Sequence, residues 1–189
     1  MAKESVICHQ IHLPFQAGSN RILKSMRRGH TIEEYLEKIN DLKRHVADLS
    51  ISTDIIVGYP GETESEFEQT LDVLKKVRFN LVYSFKYSIR PGTRAAGMKD
   101  DVNAETKRER LSRLLETQQS IQSDLLEQLV GSRQEILVDS VHPKERHSMN
   151  GRNGGNIPVT VPCSRLSVGE IVEVTIVGRK KHSLIGEVT

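Results

Sequence analysis

One stretch constrains the fold of this chain more than any other: Ser52-Thr53-Asp54-Ile55-Ile56-Val57-Gly58-Tyr59-Pro60-Gly61-Glu62-Thr63. A β-branched run ends on glycines and a proline and passes straight into a helix start. That is a βα unit with polar chemistry at the carboxyl end of its strand, where α/β folds place their ligand sites. Two other corners have the same character. His12-Leu13-Pro14-Phe15-Gln16-Ala17-Gly18-Ser19 stands upstream, and Tyr87-Ser88-Ile89-Arg90-Pro91-Gly92-Thr93 downstream. Three strand ends bearing polar side chains and glycine predict one site assembled from successive βα loops.

The periodicity between these corners supports that reading. Val6 to Leu13 reads as a strand that stops at Pro14. Thr31 and Glu34 form a capping box, followed by Tyr35, Leu36, Ile39, Leu42, Val46 and Leu49 at helical spacing. A strand over about Ser50 to Val57 comes next. Thr63 with Glu66 forms a second capping box, and Phe67, Thr70, Leu71, Leu74 and Val77 make an inward stripe. A third strand runs from about Leu81 to Ser88, with Leu81, Tyr83, Phe85 and Tyr87 alternating. The order β-α-β-α-β with short loops predicts a parallel sheet wound right-handedly. Three such units leave two open edges, and parallel sheets normally have more strands. The sequence therefore predicts that something upstream is missing.

Beyond Asn103, a helix cap, a long helix is expected to about Leu129. Its apolar face carries Leu111, Leu114, Leu115, Ile121, Leu125 and Leu129, and its opposite face Lys107, Arg108, Arg113 and Gln119. After Val130-Gly131 the texture changes. Short β-rich runs, Gln134 to Val141, Ile157 to Val161, Ile171 to Val177 and Ser183 to Val188, alternate with turns at Asn150-Gly151 and Asn153-Gly154-Gly155. These predict a small antiparallel barrel of the oligonucleotide-binding kind. The domains expected are residues 1–127 and 128–189.

The 189 residues carry a formal net charge of +2, so nucleic-acid binding cannot be read from the total. Its distribution is more telling: Lys3, Arg21, Lys24, Arg27 and Arg28 face Glu4 alone near the start, and Arg179-Lys180-Lys181 lies near the end. No Phe, Tyr or Trp follows residue 130. Binding by the barrel would thus rest on charge and hydrogen bonds, and would be salt-sensitive. No apolar run approaches the roughly 20 residues of a membrane span, and no secretory h-region opens the chain, which makes a cytoplasmic setting the expectation. Cys8 and Cys163 stand far apart and read as free buried thiols. His9 and His12, three apart on a strand, point to opposite faces and do not form a metal site.

The segments HLPFQAGSNRILKSMRRGHT, STDIIVGYPGETESEFEQT and FKYSIRPGTRAA resemble the second half of the radical-SAM domain in tRNA methylthiotransferases, most closely the MiaB type that makes 2-methylthio-N6-isopentenyladenosine beside the anticodon. The end of the chain, with Gly151-Arg152-Asn153 and Val168-Gly169-Glu170, resembles the RNA-binding TRAM domain of that family. The resemblance implies an α/β fold: a partial TIM-like radical-SAM barrel of three βα units, then a TRAM-like β-barrel. It implies S-adenosylmethionine and 4Fe-4S clusters as cofactors of the complete enzyme, and a tRNA anticodon stem-loop as substrate. A 5′-deoxyadenosyl radical would take hydrogen from adenine C2, where sulfur from an auxiliary cluster is then installed. The family's cluster-binding CxxxCxxC loop and its amino-terminal cluster domain are not in this sequence. Two distant cysteines cannot supply the thiolates. The expectation is a carboxyl-terminal fragment or gene remnant, inactive alone, with the missing amino-terminal half as a possible partner.

Residue by residue, the resemblance assigns Gln16, Ser19, Arg28, Asp54, Gly58, Gly61 and Glu62 to the cofactor. Ala17 stands where the family usually has serine, which removes a hydroxyl. Arg28, in a Met-x-Arg match, would bind the cofactor carboxylate bidentately. Asp54 would hold the ribose hydroxyls or ammonium, or else pair structurally with Arg28 or Arg90. Arg90, with Tyr87, Ser88 and Thr93, would border adenine or RNA. Arg152, Asn153, Arg179, Lys180 and Lys181 would contact RNA. Three other readings remain: a binding module without catalysis, a sibling enzyme acting on threonylcarbamoyl-adenosine or a ribosomal protein, and a generic phosphate-binding TIM-type enzyme.

Overall fold

The structure, a computed structural model, describes residues 7–145, 147–162 and 165–189. Val6, Lys3, Glu4 and Cys163 therefore lie outside the described residues. The described chain divides into two compact units: Ile11–His45 with Ile51–Ile121, and Gln122–Thr189 with Val46–Ser50 and the described residues up to Gln10.

The first unit is an α/β layer. A three-stranded sheet has the order β1 (Gln10–His12), β2 (Ser50–Val57), β3 (Leu81–Lys86). β2 and β3 run parallel, with Asp54 opposite Tyr83 and Ile56 opposite Phe85. β1 is shorter than the strand expected over Val6–Leu13. The amide of Ser50, the first residue of β2, already bonds the His9 carbonyl, so the neighbouring strand offers no further ladder. Cys8, in the segment before β1, is exposed rather than buried.

Helices α1 (Asn20–Ser25), α2 (Ile32–His45) and α3 (Glu64–Val77) connect the strands. α1 was not foreseen. Ser19 starts it, its side chain accepting from the Ile22 amide. Both expected capping boxes form: the Thr31 amide donates to Glu34 Oε2 at 2.8 Å, and the Thr63 amide to Glu66 Oε2 at 3.0 Å. Ile32, Tyr35 and Ile39 of α2 and Phe67, Thr70, Leu71, Leu74 and Val77 of α3 turn inward. Phe15 stacks on Phe79 at 5.6 Å between ring centroids, and both are fully buried. These rings and the α3 stripe bury enough apolar surface to order the layer.

α4 (Ala104–Glu127) starts where expected, with Asn103 Oδ1 accepting from the Thr106 amide. Its buried face is only partly the one expected: Leu114 and Ile121 turn inward as expected, but Leu115 is exposed and Lys107 is buried, together with Arg110 and Gln118. The reason is pairing: Lys107 Nζ reaches Asp100 at 2.6 Å and Arg110 reaches Glu62 at 2.9 Å, so two cations enter the interior already neutralised.

The second unit holds a closed five-stranded barrel in the order β4-β5-β6-β8-β7: β4 (Arg133–Val141), β5 (Met149–Asn153), β6 (Pro158–Val161), β7 (Ile171–Arg179) and β8 (Leu184–Val188). Pairing is antiparallel except between β6 and β8, which run parallel. Asn150-Gly151, expected as a turn, lies inside β5. A Cβ on Gly151 would stand 2.6 Å from the Leu137 carbonyl oxygen, so this glycine serves close strand packing rather than a turn. Ile136, Val159, Val161, Val174, Ile176 and Leu184 fill the interior.

Candidate functional site

The three corners named from the sequence border one cavity of about 580 Å³, entirely within the α/β unit. Gln16 comes from the first corner, Asp54, Ile56 and Tyr59 from the second, and Tyr87, Ser88, Arg90 and Thr93 from the third. Each is placed by the backbone beneath it. Gln16 holds a left-handed φ of 70°, rare for a residue with a side chain. The conformation persists because its amide bonds the Asp54 carbonyl at 3.0 Å and its carbonyl accepts from Ile56 at 3.0 Å. Strain of this kind collects where a side chain must be aimed. The Tyr87 amide bonds the Val57 carbonyl, and Thr93 Oγ1 caps the short 3₁₀ helix Arg94–Gly97.

Asp54 Oδ1 stands 3.4 Å from His12 Nε2, with both side chains partly open. Its structural partner is thus His12, not Arg28 or Arg90. His12 also donates or accepts at Ser52 Oγ, 3.0 Å away, and meets the Tyr83 ring edge-on. Around the wall, Tyr87 packs edge-on against Tyr59 at 5.3 Å and lies beneath Lys107 Nζ at 5.2 Å. The Tyr87 hydroxyl is buried and has no hydrogen-bond partner among the described residues. A buried hydroxyl left in that condition is costly. Arg28 is exposed at the mouth, beside Met26 and Arg27.

Gln16, Arg28, Asp54 and Arg90 therefore come together. Ser19, Gly58, Gly61 and Glu62 do not line this cavity; each is engaged in the frame that shapes it. Ser19 Oγ donates to Glu66 Oε1 at 2.8 Å. Gly58 has φ +71°, and its amide donates to Glu62 Oε2 at 2.7 Å. The Gly61 amide donates to Asp101, and its carbonyl accepts from Arg21. Burial pushes the Glu62 carboxyl up from its ordinary range, against the opposing pull of the Gly58 amide and Arg110. Hydrogen bonds from Arg21, and lesser ones from Thr63 and Ser19, hold the Glu66 carboxyl down at about 2. Glu66 thus ties the start of α1 to the start of α3, a role its place in a capping box signalled only in part.

In the barrel, four of the five residues expected to contact RNA are held by neighbours. Arg152 pairs with Asp139, Arg179 Nε with Glu127 at 2.6 Å, and Lys180 Nζ with Glu145 at 2.7 Å. Asn153 is turned inward, its Oδ1 accepting from the amides of Gly155 and Ile157 and its Nδ2 donating to Gln134. Lys181 is exposed. Residues the sequence reading passed over, Lys86 and Arg94, join the cavity lining; Arg94 stood in the quoted Arg-Pro-Gly-Thr-Arg run.

Two protein families match separate parts of this chain. Residues 1–74 match the Radical SAM superfamily, and residues 127–189 match the TRAM domain. The tRNA-2-methylthio-N(6)-dimethylallyladenosine synthase of Aquifex aeolicus is 48% identical over 187 residues, which are 99% of this chain and 42% of that protein. The protein of the same name from Acetivibrio thermocellus is 44% identical over 182 residues, 96% of this chain and 38% of its own length. That from Moorella thermoacetica is 43% identical over 181 residues, 96% and 41% respectively. The resemblance to radical-SAM tRNA methylthiotransferases therefore holds along nearly the whole chain, which spans about two fifths of the length of these relatives.

Proposed function

We propose that this chain is part of a tRNA methylthiotransferase that adds a methylthio group to C2 of N6-isopentenyladenosine, with the cavity binding S-adenosylmethionine and the barrel engaging RNA. The observation that carries the reading is the convergence of three strand ends on one cavity.

The lining has the chemistry such a ligand needs. Asp54 on the floor suits ribose hydroxyls or an ammonium group, and Gln16 beside it supplies an amide donor and acceptor. Arg28 at the mouth suits a carboxylate. Phe85, Ile56 and Tyr59 give an apolar wall for a purine, and the partnerless Tyr87 hydroxyl lies in the same wall. S-adenosylmethionine, when bound, supplies the methyl and adenosyl groups for the reaction; this chain's residues orient it and keep its polar ends apart. An iron–sulfur cluster is another matter. The sequence has two cysteines, and among the described residues no three His, Cys, Asp or Glu side chains converge. The donor set does not fit a cluster, and no step through one is derived. A second reading is an RNA-binding module that does not catalyse, supported by the match of residues 127–189 to the TRAM domain. Among the described residues no helix is long and apolar enough to cross a membrane, and a cytoplasmic setting accompanies the tRNA reading.

Equilibrium dialysis against radiolabelled S-adenosylmethionine separates the two. Retention by the chain, lost in Asp54→Ala with an unchanged melting temperature, supports the enzyme-part reading. No retention, or equal retention by the variant, leaves the module.

A further inference from the structure

One row of side chains crosses all three strands of the sheet at the floor of the cavity. Asp54 of β2 stands opposite Tyr83 of β3. The His12 ring of β1 reaches over β2 to meet Tyr83 edge-on, with 5.8 Å between ring centroids. Ser52 and Asp54, two apart, share one face of β2, and His12 engages both. Its Nδ1 is 3.0 Å from Ser52 Oγ and its Nε2 is 3.4 Å from Asp54 Oδ1. The titratable groups against the ring are Asp54 from β2 and Tyr83 from β3. Its own strand adds Gln10 and Ile11, which carry no charge.

The Ser52 hydroxyl is the movable part of this row. When its proton points to the Ile11 carbonyl, 3.4 Å away, the oxygen accepts from Nδ1–H of His12. With Nε2–H on the carboxylate as well, the ring is then an imidazolium. Turned round, the hydroxyl donates to Nδ1, and the ring is neutral with its proton still on Nε2. Both charge states therefore keep Nε2–H on Asp54 Oδ1. Among the described residues no other side chain bonds this carboxylate, which leaves Oδ2 for a ligand. The first corner also holds the main chain of Asp54, whose carbonyl accepts from the Gln16 amide at 3.0 Å. An ion pair with both side chains partly open adds little to stability. A carboxylate held at one oxygen, however, presents the other in a fixed direction.

Resting on the S-adenosylmethionine reading of the cavity, we infer that His12 is a positioning residue. It holds Asp54 through Oδ1 so that Oδ2 receives the ribose hydroxyls or the ammonium group of the ligand, and its protonation weakens that contact. An imidazolium draws charge from the carboxylate and repels an ammonium group, whereas the neutral ring orients Asp54 without doing either. Imidazoles ordinarily change charge between about pH 5 and 8. Ligand affinity therefore rises with pH across that range.

Calorimetric titration of the full chain with S-adenosylmethionine between about pH 6 and 8 tests this. The unaltered chain should bind about tenfold more tightly at the upper end, the equivalent of one pKa unit of coupling. His12→Gln keeps an N–H near the Nε2 position without a titrating ring, and should hold the tighter affinity at both ends. His12→Phe keeps the ring contact with Tyr83 but has no N–H, and should bind about tenfold more weakly throughout. The amino group of the ligand is common to all three titrations and cancels in the comparison. Unchanged melting curves confirm that each variant is folded. If His12→Phe binds as the unaltered chain does, or if both variants lose affinity alike, His12 only packs in the floor. The inference then falls while the cofactor reading stands. A pH dependence that survives in His12→Gln overturns the role given to protonation. If the unaltered chain binds no S-adenosylmethionine at any pH, the reading beneath the inference falls with it.

Discussion

Arg110 Nη1 stands 2.9 Å from Glu62 Oε2, and the two side chains are only 5% and 1% exposed. The same guanidinium bonds the Glu62 carbonyl at 3.0 Å, and the carboxylate also accepts from the Gly58 amide. One buried pair thus fastens α4 to the loop after β2, which forms the second corner of the cavity. Two charges have left water for this, and the arrangement is tolerable only while both are present. Arg110→Ala should therefore cost about 3–5 kcal/mol in urea unfolding. Replacing both partners with apolar residues of similar volume should cost much less.

Glu66 makes the α/β unit acid-sensitive. Its carboxyl titrates at about 2 against an ordinary 4.5. A folded-state value held below the unfolded one stabilises above the unfolded value and is lost as pH falls through the folded one. Stability should thus decline between about pH 4.5 and 2, and Glu66→Gln should flatten that decline while lowering stability at pH 7 by about 2 kcal/mol. Thermal melts across this range give the comparison. Glu62, raised by burial, contributes with the opposite sign and so does not account for the decline.

Gly58 is fixed by two independent constraints. Its φ is +71°, and a Cβ there would stand 2.4 Å from Lys107 Cγ. Lys107 cannot swing aside without leaving Asp100. Gly58→Ala should destabilise by about 2–4 kcal/mol, combining left-handed backbone strain with overpacking. Gly92→Ala, where a Cβ meets nothing within 4 Å, should show only the backbone part.

Asp54 should separate binding from stability. Its pair with His12 is partly open, with side chains 31% and 41% exposed, and such pairs contribute at most about 1 kcal/mol. Asp54→Asn should therefore melt nearly as the parent does. A carboxylate bound to ligand hydroxyls contributes more, so calorimetry should show S-adenosylmethionine affinity reduced about tenfold or further.

The sequence was readable wherever a local rule decided the structure. The capping boxes at Thr31 and Thr63 use only neighbouring groups, and β2 is a β-branched run that ends at glycine, so both followed from spacing. Failures came where distant partners decided. Lys107 reads as solvent-facing on a helical wheel, yet Asp100 and the Tyr87 ring draw it inside. Gly151 reads as a turn, yet Leu137 on the neighbouring strand demands a missing side chain. α1 has six residues and too few turns to show a period. Among the site residues, the three corners were legible because polar groups with glycine mark strand ends. The engagement of Glu62 and Gly61 in the frame was not, since their partners Arg110, Arg21 and Asp101 stand far away in sequence.

The central claim is that three strand ends form one ligand site. It is tested most directly by assigned amide NMR spectra of the chain as S-adenosylmethionine is added. The account predicts that amides around Gln16, Asp54–Tyr59 and Tyr87–Thr93 shift together, with one shared dissociation constant, while those of β4–β8 stay in place. Shifts confined to a single corner, or gathered in the barrel, would contradict it.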